Sequence, residues 1–341
     1  MKRLLALLLV AILLLCGCRK AEEPVAEEPT PEPTLAPAEE ENISQSGLSG
    51  QAELMTPEPT ETPEPTEAPT PTPGGLLGGR FADMFSDTPV KDESSYRSKS
   101  VGVTYKTVAT DGQYGGKVVY HVADIYVQDV SSLKTGAARG SFKSGYTELP
   151  GTICQNEGAL CAINGDEYVR SVRGHRGLGL VIRNGEVIRK RLIKGSDLCV
   201  LYRNGEMKTF LHDTYKINDI IDQDPWQVWN FDGPALLDDG KALENFTYIR
   251  SKIRIVNPRT ALGYYEPGHY CFVIVDGRQP GYSDGIDFPN LAKLMADLGC
   301  KVAYNMDGGS SSFLWFDDEI VSKQCRPNWQ ISDIIYVSPE A

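Results

Sequence analysis

The folded part of this sequence lacks a surplus of positive charge. Residues 96–341 carry 28 basic against 29 acidic side chains. A face that grips nucleic-acid phosphates needs concentrated Lys and Arg, so the balance argues against that class of function. No apolar run reaches the ~20 residues that cross a bilayer as a helix. Residues 19–75 contain no aspartate and only two cations, Arg19 and Lys20. What they do contain is 13 Glu and 12 of the chain's 22 prolines. Eleven of the chain's twelve net negative charges therefore sit there. The acidity belongs to a tail and says little about the substrate of the remainder.

The first residues explain what the tail is attached to. Met1-Lys2-Arg3 precedes the apolar run Leu4–Leu15. Cations followed by a short apolar run form a secretory signal, too short to span a membrane comfortably. The run closes Leu15-Cys16-Gly17-Cys18, which resembles a bacterial lipoprotein signal. That resemblance implies cleavage after Gly17 and a lipid on Cys18; Cys16 would place Leu15 at the cleavage position. Buried acyl methylenes would then hold the protein to a membrane. The expected organisation is a signal peptide at 1–17, a lipid-anchored tether at 18–95 and a catalytic domain at 96–341. Repeated Pro, Glu and Thr in the tether leave too little apolar surface to offset the entropy of ordering it, and favour an extended polyproline II chain.

From about Ser95 the composition changes to β-branched and tyrosine-rich segments. Val101–Val108 and Lys117–Val127 read as a hairpin around Asp111–Gly116. Gly177–Arg183 with Val187–Ile193 around Asn184-Gly185, and Cys199–Arg203 with Met207–Leu211 around Asn204-Gly205, read as two more. Asn-Gly suits a two-residue hairpin turn. His269–Val275 is a strand. Asp287 then offers a helix N-cap, Pro289 suits the first turn, and Leu291, Leu294, Met295 and Leu298 follow helical spacing up to Gly299. Cys300–Tyr304 is the next strand. The expected fold class is α+β or α/β: a β-rich domain of antiparallel hairpins ending in a β-α-β unit. Parallel strands in that unit put Asp276 and Asp307 on one sheet edge, where such sheets bind ligands.

Polar clusters interrupt the strands. They are Asn164-Gly165-Asp166, Pro258-Arg259-Thr260, Asp276-Gly277-Arg278 with Ser283, and Asn305-Met306-Asp307-Gly308-Gly309 followed by Ser310-Ser311-Ser312. Arginine's planar fork matches phosphate or carboxylate oxygens, and glycines let backbone N–H groups approach an anion. Taken singly, Asp-Gly is a common turn, and the arginines would serve equally well as structural partners of the aspartates. Together these clusters suit an anionic, hydroxylated ligand.

In combination they resemble the phosphodiester glycosidase family. The carriers are Asn257–Gly263, Val273–Arg278, the helix with Leu294-Met295 and Leu298-Gly299, and Ala303–Ser312. Upstream, Tyr120–Tyr126, Ala162–Tyr168 and Phe231–Pro234 fit in order, so the likeness covers residues 98–338. It implies hydrolysis of a sugar-1-phosphodiester; with the anchor and tether, the expected protein is a surface-tethered enzyme acting on cell-wall or exopolysaccharide material. The competing reading is a non-catalytic carbohydrate-binding lipoprotein of the same fold. The resemblance also implies that Asp307, then Asp276, activates water or attacks the anomeric carbon. Arg259 and Arg278 would hold the phosphate. Asn164, Asp166 and Asn305 would bind sugar hydroxyls, with Thr260, Ser283, Gly308, Gly309 and Ser311 completing the site. Ser311 as nucleophile lacks a histidine in a matching motif; His175 is the nearest, and His121, His212 and His269 read as strand residues. The chain departs from the family pattern at Asn257, where His is frequent, at Ser310, where a third Gly is frequent, and at Gln330, where Arg is frequent and Arg326 stands nearby.

Cys154, Cys161, Cys199, Cys271, Cys300 and Cys325 form an even set in an exported chain, which permits disulfides. Cys161, Cys271 and Cys300 equally suit free buried thiols in apolar strands. None has zinc-finger spacing. The carboxylates would tolerate a divalent cation, but no metal motif is present, so no cofactor is expected.

Overall fold

The computed structural model describes residues 75–142, 145–166, 179–230, 233–249 and 251–339. The signal, Cys18 and the tether up to residue 74 lie outside these residues, as do Tyr168, His175, Phe231 and Asp232. Packing begins upstream of Ser95. Leu76 N–H donates to the Gln128 carbonyl at 2.8 Å, and Leu77 is completely buried. This apolar pair follows the last tail proline, Pro73, and has enough surface to dock. The short strands Val90–Lys91 and Ser95–Arg97 then extend the main sheet. Residues 75–95 thus belong to the folded unit, not to a tether.

The main sheet has seven strands, in the order Val90–Lys91, Ser95–Arg97, Val101–Asp111, Lys117–Val127, His269–Val275, Arg259–Glu266 and Val302–Asn305. Every neighbouring pair is antiparallel. Two five-stranded antiparallel sheets accompany it. One is built around Cys161–Asn164 and Asp333–Val337, the other around Leu198–Tyr202 and Pro225–Trp229.

Side-chain alternation explains the strand sequences. Along His269–Val275, Tyr270, Phe272 and Ile274 enter one core with Ile163, Leu314 and Ile335 of the second sheet and Leu201 and Trp229 of the third. Cys271, Val273 and Val275 face the other way, onto Leu291, Leu294 and Met295 of the helix Phe288–Asp297. A strand buried on both faces reads as a continuous apolar run, not as an alternation. The helix is capped as its residues dictate. The Asp287 side chain accepts from Asn290 N–H at 3.0 Å, and Gly299 takes a φ of +84° just past its end.

His269–Val275 and Val302–Asn305 run in the same direction, but they are not neighbours. Arg259–Glu266 lies between them, antiparallel to both. The start of that central strand therefore shares an edge with the ends of the other two. The six domain cysteines are free thiols, and Cys271 Sγ lies 3.6 Å from Cys300 Sγ. The Asn184-Gly185 hairpin forms with both residues at positive φ, though its return strand is only Glu186–Arg189.

Candidate active site

One sheet edge gathers the candidate residues. Asp276 follows the strand His269–Val275, Met306–Gly309 follows Val302–Asn305, and Asn257–Arg259 leads into the central strand. Asn164 arrives from the second sheet, at the end of Cys161–Asn164.

Asp276 is the hub of a buried network. Its Oδ2 lies 2.9 Å from His121 Nε2 and accepts from the Tyr282 hydroxyl at 2.9 Å. Lys323 N–H approaches both carboxylate oxygens at 3.2 Å. His121 Nδ1 contacts Thr107 Oγ1 at 2.9 Å, across the hairpin pair Thr107–His121. Both ring nitrogens are engaged, which fixes the imidazole plane. Burial, with the bond to Asp276 second, raises the Tyr282 phenol to about 12. His121 was legible as more than a strand residue: it is the one basic side chain inside the apolar run Val118–Val127. Ser283 closes the network from behind. It donates to the Asp276 carbonyl at 2.6 Å, accepts from Val119 N–H at 3.0 Å and is fully buried. It staples backbone and has no face left for a substrate.

The two arginines separate into different jobs. Arg278 is exposed and takes a left-handed φ of +57°. Its Nε and Nη2 donate to Asn257 Oδ1 at 3.1 and 2.8 Å, and Nη1 has no hydrogen-bond partner among the described residues. Asn257 thus orients the exposed arginine. Arg259 is only 4% exposed. It donates to the carbonyls of Ile286, Ile253 and Ile255 at 3.1, 2.7 and 2.7 Å and lies 4.1 Å from the Phe288 ring centroid. Burial lowers it to about 10. Arg259 braces the edge and does not reach for a phosphate; its Nε and Nη2 are spent on three backbone carbonyls.

The Gly-Gly turn is shaped by this packing. A Cβ on Gly308 would meet the Pro258 carbonyl oxygen at 2.9 Å. A Cβ on Gly309, at a φ of +66°, would meet Arg278 Nη2 at 3.1 Å. Asp307 just before them is half-buried, and its Oδ1 accepts from Gly308 N–H at 2.9 Å. Asn164 Nδ2 donates to the Asp307 carbonyl at 2.7 Å, and Thr260 donates to Asn164 Oδ1 at 2.7 Å. Asn164 and Thr260 therefore hold the Asp307 backbone in place. Asn305 donates to the Met306 carbonyl at 2.7 Å, while its Oδ1 is buried without a partner among the described residues. Ser311 Oγ accepts from the Trp329 indole N–H at 3.2 Å.

Asp166 departs from its expected role. Its carboxylate pairs with Arg183, and both side chains are completely buried. Asp333 lies on the same guanidinium at 3.7 Å. Two carboxylates share one cation in a site without water access, so one proton is retained. Burial, with Asp166 as like-charge neighbour, outweighs Arg183 and pushes Asp333 up to about 7. Asp166 is likewise raised, by burial first. Pairing across so many residues leaves no local mark in the sequence. Asp333 is already deprotonated above pH ~4 in the unfolded chain but not in the folded one. Its contribution is fully present below pH ~4 and is lost as pH rises to about 7. Asp333→Asn should therefore flatten the fall in melting temperature between pH 4 and 8, as read by calorimetry; an unchanged pH slope would contradict the shared-proton arrangement.

Among the described residues no three His, Cys, Asp or Glu side chains come together as a metal cage. No described helix is long and apolar enough to cross a membrane.

One sheet edge thus gathers carboxylates, an exposed arginine and a Gly-Gly turn. The family is specified by comparison: a model described as phosphodiester glycosidase matches residues 157–338, and the chain belongs to that family. The catalytic domain of zebrafish N-acetylglucosamine-1-phosphodiester alpha-N-acetylglucosaminidase, auto-inhibited by its pro-peptide, has the same fold. It superposes with a TM-score of 0.57 at 18% identity, over 70% of this chain and 83% of that one. A hypothetical protein from Synechocystis aligns with a TM-score of 0.47 at 14% identity, over 70% of this chain and 62% of its own. Among curated proteins, the SPbeta prophage-derived uncharacterized protein YomE of Bacillus subtilis (strain 168) is 28% identical over 118 residues, 35% of this chain. The chain spans 18% of the length of that relative.

Proposed function

We propose that the protein hydrolyses glycosyl phosphodiesters, releasing a sugar and a phosphate monoester. The observation that carries this reading is the meeting of half-buried Asp307, exposed Arg278 and the His121–Asp276–Tyr282 network at one sheet edge. Asp307 attacks the anomeric carbon or takes a proton from the water that does so. The C1–O bond breaks and its electron pair leaves with the phosphate. A phosphate monoester is a weak base and needs less help from a general acid than an alkoxide does. Arg278 offers its unbound Nη1 end to the growing negative charge. Asp276, in contact with His121, Tyr282 and Lys323 N–H, fixes the edge beside Arg278. The test offers the full-length chain N-acetylglucosamine-1-phosphate esters and follows free sugar. Binding without release from any sugar-1-phosphodiester would leave the second reading, a carbohydrate-binding protein of this fold. That second reading is favoured by Arg259, whose donors serve backbone carbonyls.

The protein works, in this proposal, on the outer face of a membrane, in cell-wall or exopolysaccharide material. Cys18 with its preceding Leu15-Cys16-Gly17 supports a lipid anchor, and the Pro/Glu/Thr stretch supports a stalk beneath the domain. Replacing Cys18 with Ala should move the chain from the membrane fraction into the medium and remove its incorporation of labelled palmitate. An unlabelled, membrane-bound wild type would refute the anchor.

A further inference from the structure

Gly263 leaves a gap in the middle of the main sheet. It lies on the central strand Arg259–Glu266, opposite Cys271 on one side and Ala303 on the other. Directly opposed residues of antiparallel strands point to the same face, so a side chain at 263 would share the helix-covered face with Cys271. A Cβ there would meet Cys271 Sγ at 2.5 Å, Cys300 Sγ at 2.7 Å and Met295 Cε at 2.8 Å. The space that the glycine leaves open is where two sulfurs meet. The end of the helix brings Cys300 there. Gly299 turns the chain at a φ of +84°, and Cys300 N–H donates to the Met295 carbonyl at 3.2 Å.

Both cysteines are buried, and their sulfurs are 3.6 Å apart. The bond between the two thiols, and then burial, hold the Cys271 thiol well above its ordinary value, against the Tyr265 hydroxyl, which favours the thiolate. A thiol held neutral attacks slowly. An oxidant therefore acts best before the helix Phe288–Asp297 closes over the strand. The sulfurs need to approach by about 1.5 Å to reach bonding distance. A bond between them would close residues 272–299 into a loop that contains Asp276, Arg278 and the helix. It would tie the strand that runs into Asp276 to the strand that runs into Asp307.

Resting on the exported location proposed above, we propose that Cys271 and Cys300 form a disulfide that locks the candidate edge from behind. The oxidant is a small-molecule or protein disulfide of the oxidising environment outside the cell. The thiolate of one cysteine attacks a sulfur of that disulfide and expels the other sulfur as a thiol. The second cysteine then attacks the mixed disulfide and expels the remaining thiol. The oxidant's S–S bond breaks and the protein's forms. The two cysteines lose two electrons and two protons, and the oxidant gains them.

The test refolds the reduced full-length chain in a mixture of oxidised and reduced glutathione, alkylates the remaining thiols and maps the peptides by mass spectrometry. Two peptides should be joined through Cys271 and Cys300, two hydrogens lighter than the reduced pair. Opening the bridge with dithiothreitol should lower the melting temperature by about 10 °C, the effect expected of a loop of this length in a domain of this size. Cys271→Ala and Cys300→Ala should each abolish that shift, and Cys325→Ala should leave it whole. The wild-type peptide map decides the matter even where a variant fails to fold. No joined peptides, pairing of either cysteine with a different one, or a melting temperature indifferent to reduction would overturn the bridge. Failure of the exported location looks different: the bridge forms in the glutathione mixture, while the chain alkylated within intact cells carries both thiols reduced.

Discussion

Asp307→Asn should lower turnover of a sugar-1-phosphodiester about a thousandfold or more while the melting temperature stays within a few degrees. A carboxamide neither attacks a carbon nor accepts a proton from water, and loss of one catalytic carboxylate costs on that order. The fold should tolerate the change. Asp307 is half-buried, and its backbone is held from outside its own side chain, by Asn164 Nδ2 on its carbonyl. The side-chain bond to Gly308 N–H is one that an amide oxygen also makes. Kinetics and thermal unfolding on the same preparation decide the matter. Collapse of the fold would mean that Asp307 caps a turn, and full activity would move the catalytic carboxylate elsewhere.

Gly285→Ala should do the opposite, destabilising the domain by on the order of 3 kcal/mol and thereby weakening phosphate binding through Arg278. Gly285 has a φ of +101°, and a Cβ there would lie 2.5 Å from the carbonyl carbon and oxygen of Asn257. That contact is with backbone, so no side-chain rotation relieves it. Asn257 in turn holds Arg278 by two hydrogen bonds. A fall in melting temperature of roughly 10 °C is expected for a domain of this size. Gly281→Ala is the control. Its φ of +83° carries similar backbone strain, but a Cβ there meets nothing within 4 Å. It should cost about 1 kcal/mol. Equal losses in the two variants would show that strain alone, and not the Asn257 contact, sets the cost.

Much of this architecture is written locally. The strand His269–Val275, the helix opened by Asp287 and the Asn184-Gly185 turn are set by residues within a few positions of one another. Their apolar period, cap and turn chemistry agree with the fold. The edge that brings Asp276, Asp307 and Arg278 together also follows from strand direction. Other features depend on partners far along the chain. Nothing beside Asp166 announces Arg183, and nothing beside Arg259 announces the carbonyls of Ile253 and Ile255. Similarly, Ser283 looks like any hydroxyl in a loop until Val119 and Asp276 surround it. The start of the domain was hidden differently. Leu76-Leu77 is too short to register as an element, yet Leu77 is fully buried.

The strand Arg259–Glu266, inserted between two strands that both run opposite to it, also bears on how the molecule is made. One flank is Val302–Asn305, and the strand Asp333–Val337 pairs with Leu133–Ala137 across about 200 residues. Such pairings close long loops before any contact rewards them, which slows folding. The edge is not assembled until Asp333–Val337, which also pairs with Cys161–Asn164, is available. A product cut before Asp333 leaves Leu133–Ala137 and Cys161–Asn164 without this partner and is expected to be inert, not partly active.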